Sequence, residues 1–114
     1  MKVFALKSCD TCRKALKALK AAHEDIEVVD IRADGLETSD IARIVDAVGF
    51  EKALNRSSLT WRGLDEPDKR DMDAVKAVRL IEAHPTLMKR PVVTDGERYT
   101  VGWKDEAKGV WLDE

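Results

Sequence analysis

Apolar and polar positions along the chain divide it into strands and helices. The short apolar run at residues 3–6 predicts a buried strand. Apolar residues then recur at helical spacing, which predicts a helix over Asp10–Ala22. The β-branched stretch at residues 26–31 predicts a second strand. Strand, helix and strand in this order form a βαβ unit, so its two strands should run parallel.

A long stretch after the second strand, approximately residues 36–88, predicts helices. Its first helix has N-cap candidates in Thr38-Ser39-Asp40, and Gly49 should end it because glycine tolerates a positive φ. Residues 51–54 add one short turn. A stretch of this length is too long for a simple connection, so it should form its own helical cap.

The second half of this stretch has a weaker pattern. Residues 55–64 show no clean period and predict a surface loop pinned by Trp61. A longer helix follows a charged start that contains a proline, and His84 and Pro85 should stop it. Four apolar residues are predicted to form its inward stripe: Ala74, Val75, Val78 and Ile81.

The C-terminal part of the chain predicts a β-hairpin and a closing helix. Asp95-Gly96 between two β-rich runs is a strong hairpin signal, and Pro91 suits the first residue of a strand. Residues 104–112 predict the last helix, with Trp111 facing inward. The whole pattern predicts an α/β fold, a four-stranded mixed sheet flanked by helices, with the helical insertion between strands two and three.

Composition and charge narrow the class of protein. The 114 residues suit one domain spanning 1–114, and the net charge of −2 provides no basic field for direct nucleic-acid binding. The apolar run near the N-terminus is too short for a signal peptide, and no segment is long and apolar enough for a membrane span. We therefore expect a cytoplasmic protein without a membrane partner.

The candidate chemistry lies in a Cys-x-x-Cys motif between the first strand and the first helix. Cys9 should lie at the helix N-terminus, where free backbone N–H groups and the helix dipole favour a thiolate. Cys12 lies one turn later on the apolar face and should be the buried, resolving cysteine. Four basic residues add positive charge nearby: Lys7, Arg13, Lys14 and Lys17.

A metal site and a purely structural role are the alternatives to a redox role for the cysteine pair. A zinc site needs about four ligands, but only His23 and His84 remain, and they are far apart in the sequence. The two cysteines could also be inert core residues, since free cysteine is often buried. Their position and the surrounding charge favour a redox site without a bound metal.

Motifs over nearly the whole chain resemble the arsenate reductase (ArsC)-like branch of the thioredoxin fold, which includes YffB-type proteins and Spx-type regulators. The resemblance implies a single thioredoxin-like, glutaredoxin-like domain with the insertion at approximately 36–88. The residues that carry it are Cys9-Asp10-Thr11-Cys12, Arg13-Lys14-Ala15, Asp30-Ile31-Arg32, Asp34-Gly35, Thr60-Trp61-Arg62, Leu64, His84-Pro85, Leu87, Lys89-Arg90-Pro91 and Val101-Gly102.

The same resemblance implies roles for individual residues. Pro91 should form a cis peptide bond beside the cysteine that matches the family nucleophile, Cys9. Arg90 and Arg56 match arginines that bind the oxyanion and lower the thiol pKa in the family's arsenate reductases. A third arginine is expected near residues 101–103, where this sequence has none, and this argues against arsenate reduction.

The resemblance and the residues together predict a glutathione-linked thiol–disulfide oxidoreductase without a bound cofactor. Cys9, Cys12 and Arg90 would be catalytic, and glutathione would be the co-substrate. Four residues would bind substrate: Lys7, Arg13, Arg56 and Pro91. The alternative is an Spx-like regulator that binds the RNA polymerase α subunit and uses the cysteine pair as an oxidation switch. The sequence ends close behind the last predicted helix, which we expect to favour the YffB-type members.

Overall fold

The computed structural model describes residues 1–112, and its contacts divide the chain into two compact units. The sheet unit consists of residues 1–34 together with the chain from residue 90 onward, and the helical unit consists of residues 35–89.

Strands and helices follow the predicted order, with additional short helices in the helical unit. In chain order the elements are β1 (Lys2–Ala5), α1 (Asp10–Ala22), β2 (Glu27–Asp30), α2 (Thr38–Val48), α3 (Phe50–Ala53), α4 (Leu59–Arg62), α5 (Glu66–Lys69), α6 (Ala74–Ala83), a 3-10 turn (Pro85–Leu87), β3 (Val92–Thr94), β4 (Tyr99–Val101) and α7 (Asp105–Trp111).

The four strands form one mixed sheet in the order β2-β1-β3-β4. The strands β1 and β2 run parallel, while β3 is antiparallel to both β1 and β4. This arrangement confirms the predicted sheet, the βαβ unit and the C-terminal hairpin. The Asp95 carboxylate closes the hairpin loop by accepting the backbone N–H groups of Glu97 and Arg98. These bonds lower the pKa of Asp95 to about 2.

The core of the sheet unit lies where α1 and α7 pack on the sheet. Its buried members are Val3, Ala5, Cys12, Leu19, Val93 and Trp111. The Trp111 indole N–H donates to the Thr100 hydroxyl over 2.7 Å, and the Trp111 carbonyl lies 2.6 Å from Nε2 of His23. These bonds satisfy polar groups around the largest core side chain and fix the end of α7.

The helical unit has its own buried set, contributed mainly by α2 and α6. The buried residues of these two helices are Ile41, Ile44, Val45, Ala77, Leu80 and Ile81. Gly49 ends α2 with φ 87°, as predicted, since a residue with a side chain rarely adopts this conformation. The helix α6 ends before His84 and Pro85, also as predicted.

Three predictions for the helical unit are wrong in detail. Glu37, rather than Thr38, Ser39 or Asp40, is the N-cap residue of α2. The predicted loop 55–64 contains the one-turn helix α4, because the Ser58 hydroxyl accepts the Trp61 N–H and starts a turn.

The inward stripe predicted for α6 is also out of phase. The carboxylate of Asp73 accepts the Lys76 N–H and starts the helix there, so Ala74 and Val75 lie exposed in its first turn. Val75 is 62% exposed. The true inward row is Ala77, Leu80 and Ile81, and only the last of these was predicted.

Residues 1–112 lack two features that would change the class of protein. Within that range, no helix combines the length and apolar character needed to cross a membrane. The same residues contain no group of three or more histidine, cysteine, aspartate or glutamate side chains arranged to hold a metal ion.

Candidate active site

Cys9 is the N-cap residue of α1, with extended backbone angles (φ −91°, ψ 116°). Its backbone N–H donates to the Leu6 carbonyl over 3.0 Å, and its own carbonyl accepts the Arg13 N–H over 3.1 Å. The first of these bonds closes the turn after β1, and the second is the first backbone bond of α1. The local sequence, an apolar strand followed by a helical pattern, is sufficient to place the Cys9 side chain at the start of α1.

Opposing effects act on the pKa of the Cys9 thiol, and their sum lowers it. Partial burial is the largest single effect and raises the pKa, because it disfavours a charged sulfur. The backbone N–H and the thiol of Cys12 stabilise the thiolate, although that N–H does not form a regular capping hydrogen bond. The Arg90 guanidinium adds a hydrogen bond and a Coulombic attraction. Cys9 is therefore the candidate nucleophile of the site.

Cys12 has the opposite character. Its side chain is 1% exposed, and burial raises the pKa of its thiol to about 11, with a further increase from the neighbouring Cys9. Neither cysteine is in a disulfide, and Cys9 is the more accessible of the two. The apolar row on α1 correctly predicted which cysteine is buried.

Arg90 and Pro91 reach the site immediately before β3, which pairs with β1. The strand begins at Val92, so the prediction that Pro91 is its first residue is wrong by one position. The Arg90–Pro91 peptide bond is cis, which confirms the conformation expected from the family resemblance. The Nε atom of Arg90 is buried, and its guanidinium interacts with the Cys9 sulfur. The structure thus brings together the three residues predicted to be catalytic: Cys9, Cys12 and Arg90.

Lys7 and Arg13 lie on either side of Cys9 in sequence and are exposed. Both line a groove of about 410 Å³ in the sheet unit. Arg13 also forms an exposed ion pair with Asp10, a kind of pair that contributes little to stability. The structure therefore places these two predicted binding residues together, at one groove.

Arg56 belongs to the helical unit. Its guanidinium carbon lies 5.6 Å from the centroid of the Trp61 ring, and the Lys69 ammonium lies 5.9 Å from the same ring. Both distances suit a cation–π contact. The contact places Arg56 against Trp61, and its predicted part in substrate binding remains a prediction.

Asp30 has a structural role in this region, although the sequence pattern indicated it only as a family marker. Its carboxylate accepts the backbone N–H groups of Arg32 and Ala33, each over 2.9 Å, and so closes the turn after β2. These two bonds, with a smaller contribution from Lys7, lower the pKa of Asp30. An aspartate at a strand end before a turn is a local signal that could have revealed this role.

The sheet order, the cis proline just before β3 and the cysteine pair at the start of α1 define a thioredoxin-like α/β protein. The family model of ArsC matches residues 4–109. The chain therefore belongs to the ArsC family.

Similar proteins extend over nearly the whole chain. An uncharacterised protein of Haemophilus influenzae is 33% identical over 104 residues, covering 91% of each chain. A protein named global transcriptional regulator Spx 2, from Lactococcus lactis, is 27% identical over 106 residues. The match covers 91% of this chain and 80% of that protein.

Solved structures show the same relationship. The YffB protein has a TM-score of 0.89 and 35% identity, with 97% of each chain covered. A protein of Brucella melitensis described as related to arsenate reductase (ArsC) has a TM-score of 0.74 and 30% identity, with 99% of this chain and 94% of that chain covered. The chain is thus YffB-like within its family and has Spx-type relatives.

Proposed function

We propose that the protein is a glutathione-linked thiol–disulfide oxidoreductase with Cys9 as its nucleophile. The observation that carries this proposal is the difference between the two thiols: the pKa of Cys9 is lowered beside Arg90, while that of Cys12 is raised to about 11. An accessible thiolate followed one turn later by a buried thiol suits attack and resolution.

The proposed reaction begins when the Cys9 thiolate attacks one sulfur of a disulfide substrate. The sulfur–sulfur bond of the substrate breaks, one thiolate leaves and takes up a proton, and Cys9 holds the other half as a mixed disulfide. Cys12 then loses its proton and attacks the Cys9 sulfur, which releases the second thiol and forms a Cys9–Cys12 disulfide. Two glutathione molecules would restore the dithiol and leave as glutathione disulfide.

The remaining residues would assist these steps through charge and position. Arg90 would keep Cys9 ionised and bind an anionic group of the substrate, such as a glutathione carboxylate. Lys7 and Arg13 would attract further carboxylates, and Arg56 and Pro91 are also proposed to contact substrate. A reducing compartment is needed to supply glutathione, so we propose that the protein acts in the cytoplasm.

Turnover of a glutathione–cysteine mixed disulfide tests the proposal. The wild-type protein should release cysteine in a glutathione-dependent reaction, and Cys9→Ser should reduce the rate to the uncatalysed background. Cys12→Ser is the matched control, because it should still form the mixed disulfide at Cys9, which mass spectrometry detects. Full turnover by Cys9→Ser would overturn the proposed role of Cys9.

A second candidate is an Spx-like regulator, and the observation that favours it is the match to proteins named as Spx over 91% of this chain. In this case the Cys9–Cys12 pair would be an oxidation switch and the RNA polymerase α subunit would be the partner. A pull-down with the α subunit separates the candidates. Binding without turnover would favour the regulator, and turnover without binding would favour the enzyme.

A further inference from the structure

The carboxylate of Asp30 lies at the same end of the sheet as the turn that carries Cys9. The strands β1 and β2 run parallel, and Ala5, the last residue of β1, pairs in register with Asp30, the last residue of β2. The pairing continues past β2, since the Ile31 N–H donates to the Ala5 carbonyl over 3.0 Å. The chain that leaves β1 toward Cys9 therefore starts beside Asp30.

Lys7 is the residue of that turn that interacts with Asp30. Both residues line the groove of the sheet unit. The pKa of Asp30 is lowered first by the backbone N–H groups of Ala33 and Arg32, and then, against a small opposing effect of burial, by the Lys7 ammonium and the Lys7 backbone N–H. The Asp30 carboxylate thus joins the turn after its own strand to the turn after β1.

The peptide unit between Leu6 and Lys7 connects Asp30 to Cys9. At one end of this unit the Leu6 carbonyl accepts the Cys9 N–H over 3.0 Å, and at the other end the Lys7 N–H faces the Asp30 carboxylate. A peptide unit is planar, so its carbonyl and its N–H cannot rotate independently. A rotation that breaks the contact with Asp30 would therefore also disturb the bond to Cys9.

We propose that Asp30 is a positioning residue for Cys9. It acts through the peptide unit that joins Leu6 to Lys7. The carboxylate holds the N–H end of this unit and so keeps the carbonyl end in place for the Cys9 N–H. Cys9 then stays at the start of α1, beside the Arg90 guanidinium. The role in catalysis rests on the proposed function, whereas the effect on Cys9 itself can be measured without turnover.

The expected sign separates positioning from a simple effect of charge. Asp30 is negatively charged, and removing a negative charge near a thiol favours the thiolate, so a purely electrostatic effect would lower the pKa of Cys9. Loss of positioning acts in the opposite direction, because a displaced Cys9 would lose part of its interactions with the Cys12 N–H and with Arg90. Asp30→Ala should therefore raise the pKa of Cys9.

Alkylation by iodoacetamide as a function of pH measures this effect. In Asp30→Ala the rate at neutral pH should fall about threefold, the equivalent of one weak hydrogen bond, and the profile should move to higher pH. Asp30→Asn removes the charge but keeps a carbonyl oxygen that accepts N–H groups, so it should restore at least the wild-type rate. An unchanged or faster rate in Asp30→Ala, or an equally slow Asp30→Asn, would overturn the proposal.

Asp95→Ala is the matched control. The Asp95 carboxylate also accepts two backbone N–H groups, those of Glu97 and Arg98, but it closes the hairpin loop between β3 and β4. Its loss should lower the urea midpoint of unfolding and leave the alkylation profile of Cys9 unchanged. An equal shift of the profile in Asp30→Ala and Asp95→Ala would mean that general loosening of the sheet unit is responsible, and would overturn the proposal.

An NMR titration of the wild-type protein tests the contact without any substitution. The amide proton of an N–H group that donates to a carboxylate shifts when that carboxylate takes up a proton. The Lys7 amide should therefore titrate together with the amides of Arg32 and Ala33 as Asp30 is protonated between about pH 6 and 3. A Lys7 signal that does not follow the other two would overturn the proposed contact.

The outcomes separate this inference from the proposed function. Turnover of the glutathione–cysteine mixed disulfide by the wild-type protein, with an unchanged alkylation profile in Asp30→Ala, would overturn the positioning role alone. The expected shift of the profile in Asp30→Ala, in a protein that does not turn over mixed disulfides, would support the positioning of Cys9 and overturn the enzyme.

Discussion

Arg90 in the sheet unit and three cations of the helical unit interact with very different groups. In the sheet unit, Arg90 acts on the Cys9 sulfur and lowers the pKa of that thiol. In the helical unit, Arg56 and Lys69 flank the ring of Trp61, and the Lys76 ammonium donates to the carbonyls of Pro67 and Arg70.

The difference shows that a basic residue supports chemistry only where the fold places a titratable group beside it. Arg90 meets a titratable sulfur whose pKa it helps to lower, so its charge alters the reactivity of that sulfur. Arg56, Lys69 and Lys76 of the helical unit meet an aromatic face and backbone carbonyls, which do not titrate. Their described contacts contribute to local structure.

The largest expected effect concerns the two tryptophans, one in each unit. Trp111 is 2% exposed in the core of the sheet unit, whereas Trp61 is half-buried. Trp111→Ala should lower the free energy of unfolding by about 3–5 kcal/mol, because it leaves a cavity and breaks the bond to Thr100. Trp61→Ala should cost clearly less. Urea denaturation measures both, and equal losses would contradict the contrast between the units.

An intermediate effect is expected from Arg90→Met on the alkylation of Cys9 by iodoacetamide. Alkylation requires the thiolate, so its rate falls as the pH drops through the pKa of Cys9. Without Arg90 this fall should begin at higher pH, and the rate at pH 7 should decrease about tenfold, the effect of losing one charged hydrogen bond. Stopped-flow alkylation from pH 5 to about 9 measures the profile.

Arg43→Met is the control for this experiment. It removes the same charge from the helical unit, where Arg43 lies 3.9 Å from Asp40, and should leave the alkylation profile unchanged. A profile that moves equally in both variants would mean that net charge, rather than the contact with Arg90, lowers the pKa of Cys9. Cys12 should not interfere, since its pKa of about 11 keeps it protonated.

The smallest effect is expected from Arg56→Met. Loss of the contact with Trp61 should lower the free energy of unfolding by about 0.5–1 kcal/mol, the usual range for an exposed cation–π pair. Lys69→Met removes the other cation from the same ring and should cost a similar amount. If neither variant lowers the free energy of unfolding, the cation–π contacts with Trp61 do not stabilise the fold. A raised KM of Arg56→Met for the mixed disulfide would support its predicted part in substrate binding.

Much of the fold could be predicted because its signals are local. The apolar spacing set the bounds of α1, and Gly49 marked the end of α2. The short helices α4 and α5 could not be predicted in this way, because they contain no buried residue and produce no apolar period. Their presence depends on a few backbone and side-chain bonds, such as the cap from Ser58.

The features of the candidate site likewise fall into those that local sequence predicts and those that depend on tertiary contacts. The sequence by itself determined that two cysteines lie one turn apart at the start of a helix, and that Cys12 is on its buried face. Only the tertiary structure decided which groups surround Cys9. Arg90 reaches the sulfur because β3 pairs with β1, and Val28 stays partly exposed because its strand β2 is at the edge of the sheet. Periodicity reports on neighbours along one element, whereas these contacts join residues far apart in the chain.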